Sequence, residues 1–167
     1  LVKRGVTAPE QAKDFLRPRL EHLHDAARLA DGSAAAERIA SAIRARETIL
    51  VHGDYDVDGI CATALLTRWL RTLGGEVVPF VPHRLRDGYD FGPAGLAGAR
   101  SAGATLIVTV DCGTVAHETV ASANREGVDV VITDHHTVAG SLPDAVAVVN
   151  PQRSDCEYPD KRLCGTG

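Results

Sequence analysis

Three short clusters of aspartate and histidine carry residue types suited to binding divalent cations. The first is Asp54-Tyr55-Asp56-Val57-Asp58-Gly59, directly after His52-Gly53; the second is Asp111-Cys112-Gly113; the third is Asp134-His135-His136. Carboxylates gathered at one place raise one another's pKa and cost the fold stability unless a counter-charge is present. Divalent cations supply it, and a mixture of carboxylate and imidazole donors suits Mn²⁺ well and serves Mg²⁺. Two such ions, ~3.5–4 Å apart, form a clamp for in-line displacement at phosphorus. Each residue alone has a plainer reading. An Asp after a strand is commonly a helix cap, and a lone His is commonly structural. A calcium-binding loop fails on its second half, because Gly59 is followed by the apolar Ile60-Cys61-Ala62 with no acidic residue closing the loop.

Such clusters act together only if the chain brings them together, and the surrounding pattern does so. Short apolar strands are expected at Thr48 to Val51, Val77 to Val81, Thr105 to Val110, Val128 to Thr133 and Ala145 to Val149. Helices are expected at about Ile60 to Leu73, Ala94 to Ala102 and Val115 to Glu126, with Gly74-Gly75, Gly103 and Gly127 as stops. Continuous apolar strands alternating with helices predict an α/β fold, a parallel five-stranded sheet with helices on both faces. Each cluster then lies just past the carboxyl end of a strand, where open α/β sheets bind ligands. The Ala-rich stretch from Pro9 to Arg46 reads as helical, with Phe15, Leu16, Leu20, Leu23, Ala27 and Leu29 recurring roughly at helical spacing; it is broken at Asp31-Gly32-Ser33, with Ser33 as the N-cap of a second helix through Ile39 and Ile43.

Composition bounds the rest. With 167 residues, 44% hydrophobic and 24% charged, the chain can build one core. A net charge of -4 gives no overall basic surface for a phosphate backbone, so any basic track is local. No apolar run approaches the roughly 20 residues of a membrane helix. No export signal is visible at Leu1, and Cys61, Cys112, Cys156 and Cys164 form no Cys-x-x-Cys pair, so they read as cytosolic thiols. No glycine-rich phosphate loop is present, which argues against a plain nucleotide-binding module.

The three clusters, in this spacing, resemble the motifs of the RecJ branch of the DHH phosphoesterase superfamily, whose name comes from the Asp134-His135-His136 triplet. Arg84-Leu85-Arg86-Asp87-Gly88-Tyr89 is similar to that branch's Arg-x-x-x-Gly-Tyr loop. Asn150-Pro151, Cys156-x-Tyr158-Pro159 and Leu163-Cys164-Gly165 resemble the segment leading to its next helix, so the likeness covers nearly the whole chain. Asp90-Phe91 departs from it, because the branch usually has Gly and an aliphatic residue there, and Asp tolerates fewer backbone angles.

The resemblance implies 5′-to-3′ degradation of single-stranded DNA, dependent on two Mn²⁺ or Mg²⁺ ions, in recombination and repair in the cytoplasm. Carried over by motif, Asp56, Asp58, Asp111 and His135 are metal ligands and Asp54 a fifth. His52 stands where some superfamily members place a ligand that this branch does not require. His136 is cast as touching the scissile phosphate or stabilising the departing charge. Asp134 either orients an imidazole or caps a helix. Arg84, Gly88 and Tyr89 are cast in substrate binding, with Arg84 on a phosphate and Tyr89 on a base; a solvated Arg and a half-buried Tyr are the plainer reading. Residues 1–46 would be a helical lead-in and 47–167 the DHH domain, stopping before a further Asp ligand, a companion DHHA1 domain and an OB-fold. Weak or no activity is expected of this segment alone. Two competitors remain: a phosphodiesterase acting on nano-RNA or cyclic dinucleotides, and a non-catalytic scaffold of the same fold. Asp54 and the Arg84 to Tyr89 loop argue against the first, and the retained ligands against the second.

Overall fold

A computed structural model describes residues 1–167. Five strands, β1 (Thr48–Gly53), β2 (Glu76–Phe80), β3 (Leu106–Val110), β4 (Asp129–Thr133) and β5 (Ala147–Val149), form one parallel sheet in the order β2-β1-β3-β4-β5. The helices are α1 (Pro9–Leu16), α2 (Gly32–Ala45), α3 (Val57–Thr72), α4 (Pro93–Ala102) and α5 (His117–Arg125).

The side-chain period of two along each strand feeds two cores. Leu50, Ile107, Val130, Ile132 and Val148 face Leu96 and Ala99 of α4 and Val120 and Ala123 of α5. Their neighbours Ile49, Val51, Leu106, Val108, Val110, Val131 and Ala147 face Ala35 and Ala42 of α2 and Ala62 and Leu70 of α3. Every residue of β3 is buried, which is why its β-branched run shows no alternation of polar and apolar residues. Ile107 is fully buried in the first core, and cutting it to Ala would cost about 2–5 kcal/mol.

The chain leaves β1 for an edge strand on one side and reaches β3 on the other, so the winding direction reverses between β1 and β3. A crevice opens at such a reversal, beyond the carboxyl ends of the strands. Asp54 follows β1 and Asp111 follows β3, so the topology sets two of the three clusters on its two lips.

Three expectations need correction. The stretch from Pro9 to Arg46 is not two long helices: α1 ends at Leu16, and only short 3-10 turns, Leu20–His22 and Ala26–Arg28, lie between it and α2. Pro18 explains the break, since proline disfavours helix at the residue before it. Phe15, Leu16, Leu20 and Leu23, whose roughly helical spacing suggested one continuous helix, are exposed. Ser33 does not cap α2; Asp31 holds that position in a left-handed conformation (φ 58°). Its carboxylate serves other partners, accepting from Val148 N at 3.1 Å and pairing with Arg153 at 2.5 Å, which ties the lead-in to β5. Finally, α3 starts at Val57 rather than near Ile60, inside the acidic cluster, because Asp56 accepts from the backbone N–H groups of Asp58 (2.8 Å) and Gly59 (3.0 Å).

Candidate metal centre

Asp111 occupies the middle of the crevice. It sits in a left-handed turn (φ 64°), is 1% exposed, and neither carboxylate oxygen has a hydrogen-bond partner. Burial, and then the neighbouring Asp58 and Asp56, push its pKa up to about 6. A buried carboxylate with two orphaned oxygens is costly unless a cation completes it. Gly165 lies against it so closely that an added Cβ would come within 2.5 Å of Asp111 Oδ1, so the site is closed on that side by backbone.

Two groups of donors share Asp111. In one, ligand atoms of Asp54, Asp56 and Asp111 all lie within 4.8 Å of one another; in the other, those of Asp111, His135 and His136 do. His135 Nε2 stands 3.0 Å from Asp111 Oδ1 without forming an aligned hydrogen bond, which leaves both atoms available to a shared cation. Asp54 is 3% exposed with Oδ1 unpartnered, and burial raises its pKa, with Asp56 adding to the effect. Asp56 spends one oxygen on capping α3 and retains the other. The helix-cap reading and the ligand reading are therefore compatible in one residue. Gly59 permits this crowding, because a Cβ there would come within 2.5 Å of the Asp54 backbone. Orphaned buried oxygens with imidazole beside them fit hard divalent ions with mixed O and N ligands.

Asp58 lies outside both groups. It approaches His135 Nε2 at 3.7 Å, but its oxygens accept from Gly165 N, Thr166 N and Thr166 Oγ1, each at 2.7 Å. Burial works to raise its pKa, and these hydrogen bonds outweigh it, so the carboxyl stays below its ordinary range. His52 is buried between Phe80 and Phe91, with ring centroids at 5.2 Å from each, and belongs to neither group. Burial drives its pKa down to about 4.

Asp134 has a different task. Its Oδ1 accepts from His136 Nδ1 at 2.7 Å and from the backbone N–H groups of His135 and His136, and its Oδ2 accepts from Thr114 N at 3.0 Å. Burial alone would raise its pKa, yet the bonds from Thr114 and His136 hold it below the usual value. His136 in turn is raised: burial opposes this, and Asp134, with Asp111 and Asp54 farther off, prevails. The bond fixes Nδ1 of His136 as donor, leaving Nε2 directed at Tyr89, whose hydroxyl lies 3.3 Å away.

Tyr89 is half exposed beside the crevice, and its ring packs edge-on against both Tyr55 and His136, with centroids 6.2 Å apart in each case. Arg84 is exposed, its guanidinium 5.2 Å above the Tyr55 ring. Gly88 turns the loop at φ 84°, exposed and with open space around it. Sequence reasoning gave no role to Tyr55, Asp90, Thr114 or Asn150. Asn150 Nδ2 donates to His136 O and Thr114 Oγ1, at 2.9 and 3.0 Å, and Asp90 Oδ1 accepts from Gly113 N at 2.6 Å. The available signals were slight: an Asn-Pro closing a strand, and an Asp where Gly was expected.

The sequence profile of the DHH family, N-terminal domain, matches residues 48–167. The chain belongs to the DHH family. Within this family it is 37% identical over 167 residues to the single-stranded-DNA-specific exonuclease RecJ of Bacillus subtilis, covering 100% of this chain and 21% of that protein. To the RecJ of Dickeya dadantii it is 41% identical over 167 residues, covering 99% of this chain and 28% of that one. Among solved structures, an exonuclease RecJ bound to manganese matches with a TM-score of 0.74 at 35% identity, covering 90% of this chain and 37% of that one. The expected RecJ-like α/β fold is borne out, and the chain spans about a fifth to a quarter of the length of the curated relatives it matches. No helix is long and apolar enough to cross a membrane.

Proposed function

We propose that this DHH domain hydrolyses phosphodiester bonds in single-stranded DNA, as part of a RecJ-like 5′-to-3′ exonuclease acting in recombination and repair in the cytoplasm. The single observation behind this reading is Asp111, a buried carboxylate with both oxygens orphaned, placed between the Asp54–Asp56 donors and the His135–His136 donors. In this reading Asp54, Asp56, Asp111 and His135 hold two divalent ions, Mn²⁺ or Mg²⁺, with Asp58 at the rim. Residues 47–167 form the catalytic domain and 1–46 its lead-in.

Bound ions supply a water of lowered pKa and counter-charge for the phosphoryl oxygens. The rest falls to side chains. Asp134 holds the His136 ring in one orientation and favours its charged form, so that Nε2 can donate to a phosphoryl oxygen as negative charge develops there. Tyr55 and Tyr89 offer ring faces on which a base can stack, and Arg84 a cation for a backbone phosphate.

The deciding experiment gives the whole protein a long 5′-phosphorylated single strand, the matching duplex and a dinucleotide, each with Mn²⁺. Release of mononucleotides from the single strand, far faster than from the other two, is expected. Preference for the dinucleotide would replace this reading with a small-substrate phosphodiesterase.

A further inference from the structure

We infer that Asp90 is a positioning residue, a latch that ties the Arg84–Tyr89 loop to the turn carrying Asp111 and thereby holds Tyr89 at the crevice; its effect on substrate rests on the single-strand reading above. Asp90 adopts φ 71°, a region that few residues other than Gly enter, Asp and Asn being the most tolerant. In that conformation Asp90 Oδ1 accepts a hydrogen bond from Gly113 N at 2.6 Å.

Both partners sit at decisive points. Gly113 closes the Asp111 turn at φ 109°, packed so tightly that a Cβ would come within 2.7 Å of Thr109 Oγ1. The turn is tied to the sheet by Thr109 Oγ1 donating to Cys112 O at 2.8 Å and Asp111 N donating to Thr133 O at 3.0 Å, so a group bonded to the Gly113 N–H is tied to the sheet with it. Asp90 separates two rings with opposite surroundings. Phe91 is 2% exposed and anchored against His52, whereas Tyr89 is 52% exposed and meets only Tyr55 and His136 among aromatic rings. The loop beyond Tyr89 is exposed from Arg84 to Arg86 and is braced internally, by His83 N donating to Asp87 at 2.8 Å. The Asp90 bond therefore joins the loop's inner end to the Asp111 turn, while the Tyr89 hydroxyl, 3.3 Å from His136 Nε2, joins it to the third cluster.

Two replacements separate the latch from the backbone requirement. Asp90→Gly accepts the left-handed conformation and has no acceptor; Asp90→Asn accepts it and keeps an oxygen for Gly113. Amide exchange of Gly113, followed by NMR on this chain, should speed up roughly tenfold or more in Asp90→Gly and stay near wild type in Asp90→Asn. In the whole protein, KM for single-stranded DNA should rise roughly tenfold in Asp90→Gly with a smaller fall in kcat, and Asp90→Asn should restore both. Unchanged Gly113 exchange in Asp90→Gly overturns the latch, as does Asp90→Asn exchanging as fast as Asp90→Gly, or either variant failing to fold. Faster exchange with unchanged KM overturns the link to substrate. The exchange readout needs no catalysis: if it behaves as expected in a protein that cuts no DNA, the latch stands and the nuclease reading falls.

Discussion

Asp134 Oδ1 accepts a hydrogen bond from Nδ1 of His136 at 2.7 Å, and the same oxygen accepts from the backbone N–H groups of His135 and His136. One carboxylate thus sets both the backbone turn of the triplet and the orientation of its last ring. Asp134→Asn keeps the shape and loses the charge that favours the imidazolium. We expect kcat on single-stranded DNA to fall by about 10–100-fold while Mn²⁺ binding measured by calorimetry is kept. Equal loss of metal binding and activity would instead make Asp134 a ligand.

The buried ring of His52 predicts an acid sensitivity. Its folded pKa is depressed to about 4, so the folded state resists a proton that the unfolded chain takes up near its ordinary 6.5. Stability from this group is intact above about pH 6.5 and is lost as pH falls toward 4. Chemical denaturation of the metal-free chain should show wild type losing about 3 kcal/mol relative to His52→Gln between pH 7 and pH 4. Parallel stability curves for the two proteins would remove His52 as the cause.

Tyr89 presents both a hydroxyl and a ring, and the two can be separated. Tyr89→Phe loses only the contact with His136 Nε2, whereas Tyr89→Ala loses the surface for a base. Base–aromatic stacking contributes about 1–3 kcal/mol, so Tyr89→Ala should weaken single-strand binding roughly tenfold or more, measured by fluorescence anisotropy in Ca²⁺. Tyr89→Phe should bind nearly as wild type. Equal weakening by both would assign the role to the hydroxyl.

The sheet was legible because its strands are short runs rich in β-branched residues, alternating with helices that stop at glycines. The lead-in was misread because Phe15, Leu16, Leu20 and Leu23 keep helical spacing although Pro18 interrupts the helix. Periodicity reports which residues would share a face, not whether a face exists. At the site, the clusters announced Asp54, Asp111 and His135, since carboxylates so placed need a counter-charge. The division of labour within them was not legible. That Asp56 both caps α3 and keeps an oxygen free, that Asp58 is engaged by Gly165 and Thr166, and that Asp134 serves His136 rather than His135 all depend on angles that spacing does not encode. Asp90 was noticed as a departure, but its partner Gly113 is 23 residues away and visible only in three dimensions.

The central claim is that separate strand ends hold divalent ions jointly through Asp111. Titrating this chain with Mn²⁺, by calorimetry and by electron paramagnetic resonance, tests it most directly. The account predicts spin-coupled Mn²⁺ bound as a pair in wild type, and loss of that coupled pair in Asp111→Asn with the metal-free fold intact. Mn²⁺ binding in Asp111→Asn indistinguishable from wild type would contradict it.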